Sequence, residues 1–343
     1  MRHRVLHILP EDGIGGAEIA AHSAADANQK ISLFFMSPAP APSPETTNIH
    51  HAKTGGPFSP TTLRQGMQVF DTVNPDVVVF SLWKSFFMML LMRILRPRVK
   101  TVVMLHSSKF VHIPDFVCTH LMQLLAHNFW SDSESALPRV LKFKRKRARV
   151  ISFLAQKPSP VTSKNPQPNF IFWGRLSAVK NLGGSCSFFQ AIHAKMPNAK
   201  LTIIGPDDGE LSKLKSHVNA LGLSNAVHFV GTKSWTEICD LASDHSFYIQ
   251  FSIFEGMAMS VVEAMQLGLV PIVTPVGEIK RYGKDGENCI IHDTTTDALS
   301  AVLSTLEDPE KYQRLRLNAQ THWQTHPTFA EDFYIACGEE ISK

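Results

Sequence analysis

The second half of the chain alternates short apolar runs with longer helix-compatible segments, and this alternation constrains the fold more than any other feature. Strands are predicted at 169–173, 201–204, 227–230, 247–251, 270–274 and 289–291. Six short apolar strands separated by helices predict a parallel sheet that is covered on both faces. In such a sheet, ligands bind in the crevice at the carboxyl ends of the strands.

The first half opens with a unit of the same kind. An apolar run at Val5–Leu9 leads into Gly13, Gly15 and Gly16, and the segment 17–28 is small and compatible with a helix. A strand, a glycine turn and a helix begin a doubly wound sheet and offer backbone N–H groups to an anion. Further strands are predicted at 31–36, 76–80 and 99–105, and helices at 61–73 and 84–95.

The length of 343 residues predicts two domains rather than one. The segment 157–168 has four prolines and few apolar residues, which is typical of a linker. We therefore predict domains at 1–156 and 169–327 and a final helix at 328–343. The segment 37–62 carries six prolines and is predicted to be an irregular loop.

Composition excludes several function classes. The formal charge of +4 is modest, so nucleic acid is not an expected partner. Five cysteines without a CxxC pair argue against disulfides and zinc and favour a reducing compartment. There is no HExxH motif, and the adjacent His50 and His51 fall in the proline-rich loop without the spacing of metal ligands. We predict no bound metal and no cofactor.

The apolar segments are too short for a signal peptide or a membrane span, so a cytoplasmic protein is expected. The longest apolar run, Phe86–Met92, is broken by Arg93. Its helix is interpreted as a core crossover, with insertion into a bilayer surface as the alternative. The run RVLKFKRKRAR, Arg139–Arg149, holds seven basic residues and fits either a solvated helix end or a contact with anionic lipid.

The segment FEGMAMSVVEAMQLGLVPIVT, at 254–274, carries the strongest candidate site. It predicts a loop with Glu255, a helix opened by Ser260 and closed by Gly268, and a buried strand. Glu263 lies in the first turn, so two carboxylates flank a helix N-terminus, which suits a diphosphate ester. Ser260 and Glu263 also match a capping box, and a carboxylate at Glu263 can equally accept both hydroxyls of a ribose. An exposed loop glutamate is the alternative for Glu255.

Three other candidates follow predicted strands and keep structural alternatives. His106 ends an apolar strand and is expected to face the crevice, although a purely structural histidine fits as well. Arg175 and Lys180 lie in the loop GRLSAVKN after the strand at 169–173. From their spacing alone, both fit either a ligand site or a charged surface at a helix start.

Four motifs occur together in order along the chain: GIGGAE at 13–18, WGRLSAVKN at 173–181, LTIIGP at 201–206 and the Glu255–Glu263 segment. They resemble the retaining nucleotide-sugar glycosyltransferases of the GT-B fold, in the large family numbered four. The resemblance implies two Rossmann-like domains facing across a cleft, the first binding the acceptor and the second the donor. It also implies that the final helix returns to the first domain and that the 37–62 loop is a flap on the acceptor side.

The resemblance implies a role for each candidate residue. Arg175 and Lys180 would hold the donor phosphates, Glu255 and His106 would contact the sugar, and Glu263 would hold the ribose. The remaining implied donor-site positions are Gly15, Gly16, Gly205, Gly256, Met257, Ala258, Met259 and Ser260. The family usually has Phe-Gly-Leu-Pro at 257–260, so the two methionines here crowd the donor pocket and leave the sugar open. Gly277-Glu278 is a shortened form of a later family segment, and Glu278 is a weak candidate for contacting the base or ribose.

The implied activity is that of a hexosyltransferase. A sugar would pass with retention from a nucleotide-diphosphate sugar, UDP favoured and GDP the alternative, to a saccharide or lipid-linked saccharide in cell-surface polysaccharide or glycolipid synthesis. The protein would work without metal, in the cytoplasm or peripherally on the inner face of the membrane. A GT-B epimerase or hydrolase, and a non-catalytic membrane-associated scaffold, are the alternatives.

Overall fold

The computed structural model describes residues 3–13, 15–40, 47–106, 110, 112–139, 141, 148–160, 165–294 and 297–342. The chain forms two compact units. The first comprises Met1–Gln156 and Pro327–Lys343, and the second comprises Lys157–His326. The residues predicted as a linker, 157–168, belong to the second unit.

The first unit is built on a seven-stranded parallel sheet of order β3-β2-β1-β4-β5-β6-β7. Its strands are β1 Val5–Leu9, β2 Ile31–Phe35, β3 Ile49–His51, β4 Val77–Ser81, β5 Lys100–Leu105, β6 Asn128–Ser131 and β7 Ala148–Val150. Its helices are α1 Gly16–Ala27, α2 Pro60–Val73, α3 Phe86–Leu95, α4 Ile113–Leu125 and α12 Phe329–Ser342. A 3-10 turn at Trp83–Ser85 precedes α3.

Helices cover both faces of this sheet. Crossovers between parallel strands are right-handed, so a helix lies on one face when the chain moves one way along the sheet and on the other face when it moves the opposite way. Helices α2, α3 and α4 pack beside one another, while α12 packs against α1 and β4. Polar contacts also hold α12 to the unit: Arg149 donates to Asp332 over 2.6 Å and to Glu339 over 2.5 Å. The backbone N–H of Phe329 donates to the Leu154 carbonyl.

The second unit repeats the architecture with a six-stranded parallel sheet of order β10-β9-β8-β11-β12-β13. Its strands are β8 Asn169–Trp173, β9 Lys200–Ile204, β10 Val227–Gly231, β11 Phe247–Gln250, β12 Val270–Val273 and β13 Ile290–Ile291. Its helices are α5 Leu182–Lys195, α6 Leu211–Ala220, α7 Trp235–Ala242, α8 Met259–Leu267, α9 Ile279–Tyr282, α10 Ala298–Glu307 and α11 Pro309–Gln324. The prediction of two doubly wound α/β domains is confirmed.

Two local predictions in the first unit need correction. The loop predicted at 37–62 contains strand β3, because residues 49–51 pair in parallel with β2. His51 lies in that strand, and its Nε2 is 2.7 Å from Asp12 Oδ2. The basic run does not end as a helix, because 148–150 forms the edge strand β7. Positions 140 and 142–147 of that run lie outside the described residues.

Two further observations concern metal ligands and membrane-spanning helices. Among the described residues, no three His, Cys, Asp or Glu side chains are grouped as metal ligands. In the same part of the chain, no helix combines the length and the apolar character that crossing a bilayer requires.

Candidate active site

Glu255 stands at the centre of a polar cluster at the carboxyl ends of β8 and β11. Its Oε1 accepts hydrogen bonds from Lys180 Nζ over 2.7 Å, Gln250 Nε2 over 2.9 Å and Ser252 Oγ over 2.6 Å. The side chains of Lys180 and Glu255 are largely buried. Burial is tolerated because the two charges neutralise each other and the carboxylate oxygen is fully hydrogen-bonded. The structure therefore brings together two residues that the sequence predicted as separate ligands.

Gln250, the last residue of β11, connects this cluster to the start of α8. Its Oε1 accepts from Ser260 Oγ over 2.9 Å and from Tyr248 Oη over 2.6 Å, while its Nε2 donates to Glu255. The Tyr248 hydroxyl is completely buried, which raises its pKa well above the usual value. It therefore stays protonated and serves as a donor.

Sequence reasoning missed Tyr248, Gln250 and Ser252. They occupy alternate positions in the run YIQFS, and side chains two apart in a strand point to the same face. A period-two row of hydrogen-bonding groups in an otherwise apolar strand is the signal that could have identified them.

Glu263 lies on α8 and contacts the end of β8. Its Oε2 accepts from Trp173 Nε1 over 2.8 Å. Burial of the carboxyl group raises the pKa of Glu263 to about 7, although the Trp173 hydrogen bond and the charge of Lys180 act in the opposite direction. Near neutral pH this carboxyl group therefore exists in both protonation states.

The predicted capping box at Ser260 and Glu263 is wrong. The N-cap of helix α8 lies two residues earlier than predicted, because the helix begins at Met259, after Ala258 in the left-handed region with φ of 57°. Ser260 is thus already inside the helix, and its hydroxyl bonds to Gln250 instead of to the backbone of Glu263. The prediction that Gly268 closes the helix is confirmed, with φ of 81°.

A second loop packs against the one that carries Glu255. Gly277 has φ of +56°, and a Cβ there would overlap the carbonyl oxygens of Glu255 and Gly256. The N–H of Glu278 donates to the Gly256 carbonyl over 2.9 Å, and Tyr282 Oη donates to the Met257 carbonyl over 3.2 Å. The side chain of Glu278 is buried. These contacts fix the backbone of residues 255–257.

Gly205 has a packing role that its sequence position did not reveal. It follows β9 with φ of +144°, and a Cβ there would overlap the carbonyl oxygen of Gly174. The Gly174 N–H donates to the Ile204 carbonyl over 3.1 Å. The loops after β8 and β9 therefore touch backbone to backbone, a distance that only glycine allows.

Arg175 and Lys180 have different partners although they share one loop. The exposed guanidinium of Arg175 lies 3.6 Å from Asp208 Oδ2, on the loop after β9. Lys180 ends the 3-10 turn Ala178–Lys180 and contacts Glu255. A pair as exposed as Arg175–Asp208 is worth little energetically, so this guanidinium can move to another anion.

In the first unit, His106 belongs to a buried chain of hydrogen-bonding groups. Ser81 Oγ lies 2.8 Å from Nε2 of His106 and 2.8 Å from Nε2 of His7. His106 Nδ1 lies 3.4 Å from Asp132 Oδ2. Complete burial, together with the nearby His106, lowers the pKa of His7 to about 3. His7 is therefore neutral, and the Ser81 hydroxyl can accept from one ring while donating to the other.

A cavity of about 210 Å³ opens beside His106, lined by residues that include Glu18, Trp83 and Lys84. At its edge, α1 begins at Gly16, with Gly15 at its N-cap. A Cβ on Gly15 would overlap the carboxylate of Glu18, so an acidic group already lies over this helix N-terminus. Leu82, which directly follows β4, has φ of 62°, a backbone conformation that is strained for a leucine.

Comparison with known proteins gives the following relationships. Residues 156–322 match the family described as glycosyl transferases group 1. Over 132 residues the chain is 26% identical to a GDP-mannose:cellobiosyl-diphosphopolyprenol alpha-mannosyltransferase from Xanthomonas campestris, covering 38% of this chain and 35% of that protein. Over 177 residues it is 27% identical to a poly(glycerol-phosphate) alpha-glucosyltransferase from Bacillus subtilis, covering 49% and 25%. The chain spans less than half the length of these curated relatives.

Several solved structures match over nearly the whole chain, and two of them illustrate the likeness. HepE from Anabaena, in complex with UDP and glucose, superposes with a TM-score of 0.77 at 17% identity, covering 99% of this chain and 100% of that one. Sucrose-phosphate synthase from Thermosynechococcus elongatus superposes with a TM-score of 0.77 at 15% identity, with the same coverage. At these identities the likeness shows the fold alone, which is GT-B.

Proposed function

Residues 156–322 belong to the glycosyl transferases group 1, and from that membership we propose that the protein transfers a sugar from a nucleotide-diphosphate sugar to a saccharide acceptor. The observation that carries the proposal is the buried Lys180–Glu255 pair, held by Gln250 and Ser252 at the carboxyl edge of the second sheet. That edge is where ligands bind in parallel α/β sheets.

Departure of the nucleoside diphosphate places negative charge on the leaving group, so the main catalytic need is electrostatic. An ammonium group has three N–H donors, so Lys180 can keep its bond to Glu255 and also donate to a phosphate oxygen. Arg175 can leave Asp208 and bind phosphate with its planar fork of donors. We assign both residues to the diphosphate.

Glu255 is suited to orient the sugar. Its Oε1 is occupied by three protein donors, which leaves Oε2 to accept from sugar hydroxyls. Glu263 is suited to the ribose in its ionised form, because a carboxylate can accept from both hydroxyls of a diol. Met257 and Met259 lie between these two carboxylates in sequence and would shape the donor pocket.

The stereochemistry, the nucleotide and the acceptor are each proposed on different grounds. Retention at the anomeric carbon is proposed on the family resemblance. UDP is the favoured nucleotide and is the ligand in the HepE structure, whereas the mannosyltransferase relatives are named for GDP-mannose. A lipid-linked saccharide is the proposed acceptor, as the names of those relatives indicate for them.

Two measurements test the proposal. The first is thermal unfolding in the presence of UDP, GDP and ADP, because a ligand at 100 times its Kd stabilises the folded state by about 2.7 kcal/mol. The second is product analysis with UDP-glucose and GDP-mannose, with and without a lipid-linked oligosaccharide. Acceptor-dependent release of nucleotide and a lengthened saccharide are expected. Equal release of free sugar without acceptor would identify a hydrolase, and no binding of any nucleotide would contradict the proposal.

A further inference from the structure

A cavity of about 550 Å³ opens at the edge of the first sheet, between the edge strand β3 and helix α2. Phe34 of β2 forms part of its apolar wall, and its polar groups include those of His50, Lys53, Gln65 and Gln68. It shares no described lining residue with the smaller cavity of the same unit. Its volume suits a small ligand, and the sugar transfer proposed above assigns it no role.

The register of β3 directs His50 into this cavity. His50 pairs with Phe34, and residues paired in a parallel sheet present their side chains to the same face. Phe34 packs in the core cluster that α2 covers, so the His50 imidazole is directed toward α2. After β3, the backbone N–H of Lys53 donates to Gln65 Oε1 over 2.9 Å, which ties this segment to the helix. The Gln65 Nε2 group keeps its two N–H donors available.

The charge around the cavity is positive and uncompensated. Lys53 lines the cavity, and Arg64 lies on α2 one helical turn before the lining residue Gln68. Neither cation forms an ion pair within the described part of the chain. The segment 47–72 contains a single carboxylate, Asp71, which is already in an ion pair over 2.7 Å on the surface. An anionic ligand would therefore meet free positive charge here.

His50 adds a group whose charge can respond to such a ligand. Its imidazole forms no hydrogen bond to the described residues, and burial together with the neighbouring His51 lowers the pKa of His50. The charged groups on the elements around it are Lys53 on its own segment and Arg64 and Asp71 on α2, whereas β2 has none. A nearby anion favours the protonated imidazole, so binding of an anion would take up a proton.

We propose that this cavity binds a small phosphorylated polyol, a sugar phosphate in the simplest case. Lys53, Arg64 and His50 contact the phosphate group, which carries about −1.5 to −2 charges at pH 7 as a monoester. The side-chain amides of Gln65 and Gln68 contact the hydroxyl groups. The inference goes beyond the proposed sugar transfer and does not rest on it, because this binding needs neither donor nor acceptor.

The test is isothermal titration calorimetry of the full chain with glucose 6-phosphate and mannose 1-phosphate, and with glucose and inorganic phosphate for comparison. The cavity variant is His50→Gln/Lys53→Gln. The matched control, Lys30→Gln/His228→Gln, removes the same two groups at exposed positions outside the cavity. Because charge-assisted hydrogen bonds are lost, Kd for the sugar phosphate should rise at least about tenfold in the cavity variant and stay within about twofold in the control.

The pH dependence of binding provides a second readout that a purely structural role would not produce. Kd is measured for wild type and for His50→Gln at the same pH values, so the protonation of the ligand itself cancels in their ratio. The ratio of the Kd of His50→Gln to that of wild type should increase as pH falls from about 8 to about 6. A ratio independent of pH would remove His50 from the phosphate contacts.

Unfolding temperatures verify that the variants are folded. The proposal is supported if a sugar phosphate binds more tightly than glucose and inorganic phosphate, and if only the cavity variant weakens it. It is overturned if neither sugar phosphate binds more tightly than these two, or if the cavity variant binds like wild type. Binding that is lost in Arg175→Ala/Lys180→Met instead would assign the phosphate to the donor site and also overturn it. No nucleotide is present in these titrations, so this proposal and the proposed sugar transfer can fail separately.

Discussion

Lys180 Nζ lies 2.7 Å from Glu255 Oε1, in a pair whose side chains are both largely shielded from water. The 3-10 turn that ends at Lys180 is bound to the Glu255 loop, because the Ile253 N–H donates to the Val179 carbonyl over 2.9 Å. The ammonium group is thus positioned before any phosphate binds. Pre-positioned charge is the form of electrostatic stabilisation that contributes most to catalysis.

We expect Lys180→Met and Glu255→Gln each to lower kcat/KM by about 10- to 150-fold, since a charge-assisted hydrogen bond is worth about 1.5–3 kcal/mol. The double variant should lose little more than the worse single variant, because the two residues act together. Steady-state kinetics measure this cycle. The exposed pair Lys213–Glu210, changed to Met and Gln, is the control and should stay within about twofold. If the losses in kcat/KM of the two single variants multiply in the double variant, Lys180 and Glu255 are not coupled.

Arg175→Ala should mainly lower kcat, by about 10- to 150-fold, because its contact with the diphosphate strengthens as the leaving group gains charge. Asp208→Asn removes the negative charge that Arg175 contacts in this structure and should leave kcat unchanged. Single-turnover kinetics with the nucleotide sugar separate this step from product release. An unchanged kcat in Arg175→Ala would remove the residue from the phosphate site.

Glu263→Ala should mainly raise the donor KM, because it removes the proposed ribose contact while leaving the phosphate ligands in place. In wild type the donor KM should fall as pH rises through about 7, since the ionised carboxylate is the acceptor. Donor KM measured across this pH range, in wild type and in Glu263→Gln, provides the test. A pH dependence that persists in Glu263→Gln would assign the titration to another group.

Glu263 should also make folding stability depend on pH. Its pKa rises from 4.5 in the unfolded chain to about 7 in the folded protein, so the folded state holds the proton more tightly. Stability is therefore lost as pH rises from about 4.5 to about 7 and is flat above that range. Relative to wild type, Glu263→Gln should gain about 1–3 kcal/mol over this interval in urea unfolding. The difference between the two proteins cancels the opposing contribution of His7.

Gly205→Ala should destabilise the second unit by at least about 3 kcal/mol, because the added Cβ overlaps the Gly174 carbonyl and φ is positive. Gly209→Ala is the matched control. Gly209 also has positive φ, but a Cβ there meets nothing within 4 Å, so a cost of about 1–2 kcal/mol is expected. Urea unfolding distinguishes the two variants. Equal losses of stability would show that the positive φ alone, and not the contact with Gly174, explains why glycine occupies position 205.

Ser81→Ala should destabilise the first unit by about 1–3 kcal/mol, because it leaves ring nitrogens of His7 and His106 without their shared partner. The exposed Ser216→Ala should change stability by less than about 0.5 kcal/mol. Chemical denaturation measures both. A neutral Ser81→Ala would mean that water replaces the hydroxyl.

Much of the fold followed from periodicity, and every strand of the second unit begins and ends within one residue of its predicted bounds. Placement of Glu255 and Lys180 after strands was also predictable, since polar residues ending apolar runs gather at one sheet edge. The ion pair between Lys180 and Glu255 was not predictable. It depends on how the 3-10 turn Ala178–Lys180 is bound to the Ile253 backbone, which no local pattern encodes.

Two other features lay outside the reach of local patterns. The Ser260–Glu263 spacing indicated a capping box, but Ala258 adopts a left-handed conformation and is the N-cap of α8, two residues before Ser260. Helix α4 was not predicted from the sequence, and Gln123 on its buried side accepts from the backbone N–H of Leu141, eighteen residues away.

The order in which the chain is assembled has a consequence for biosynthesis. Helix α12 follows all the other described elements in the chain, yet it packs on α1 and β4 and is bound by Arg149 and Leu154. On the ribosome, residues 157–326 are therefore all available while the first sheet still lacks its covering helix. The second unit can therefore reach its native state before the first, whose sheet keeps an apolar face uncovered until α12 has been translated.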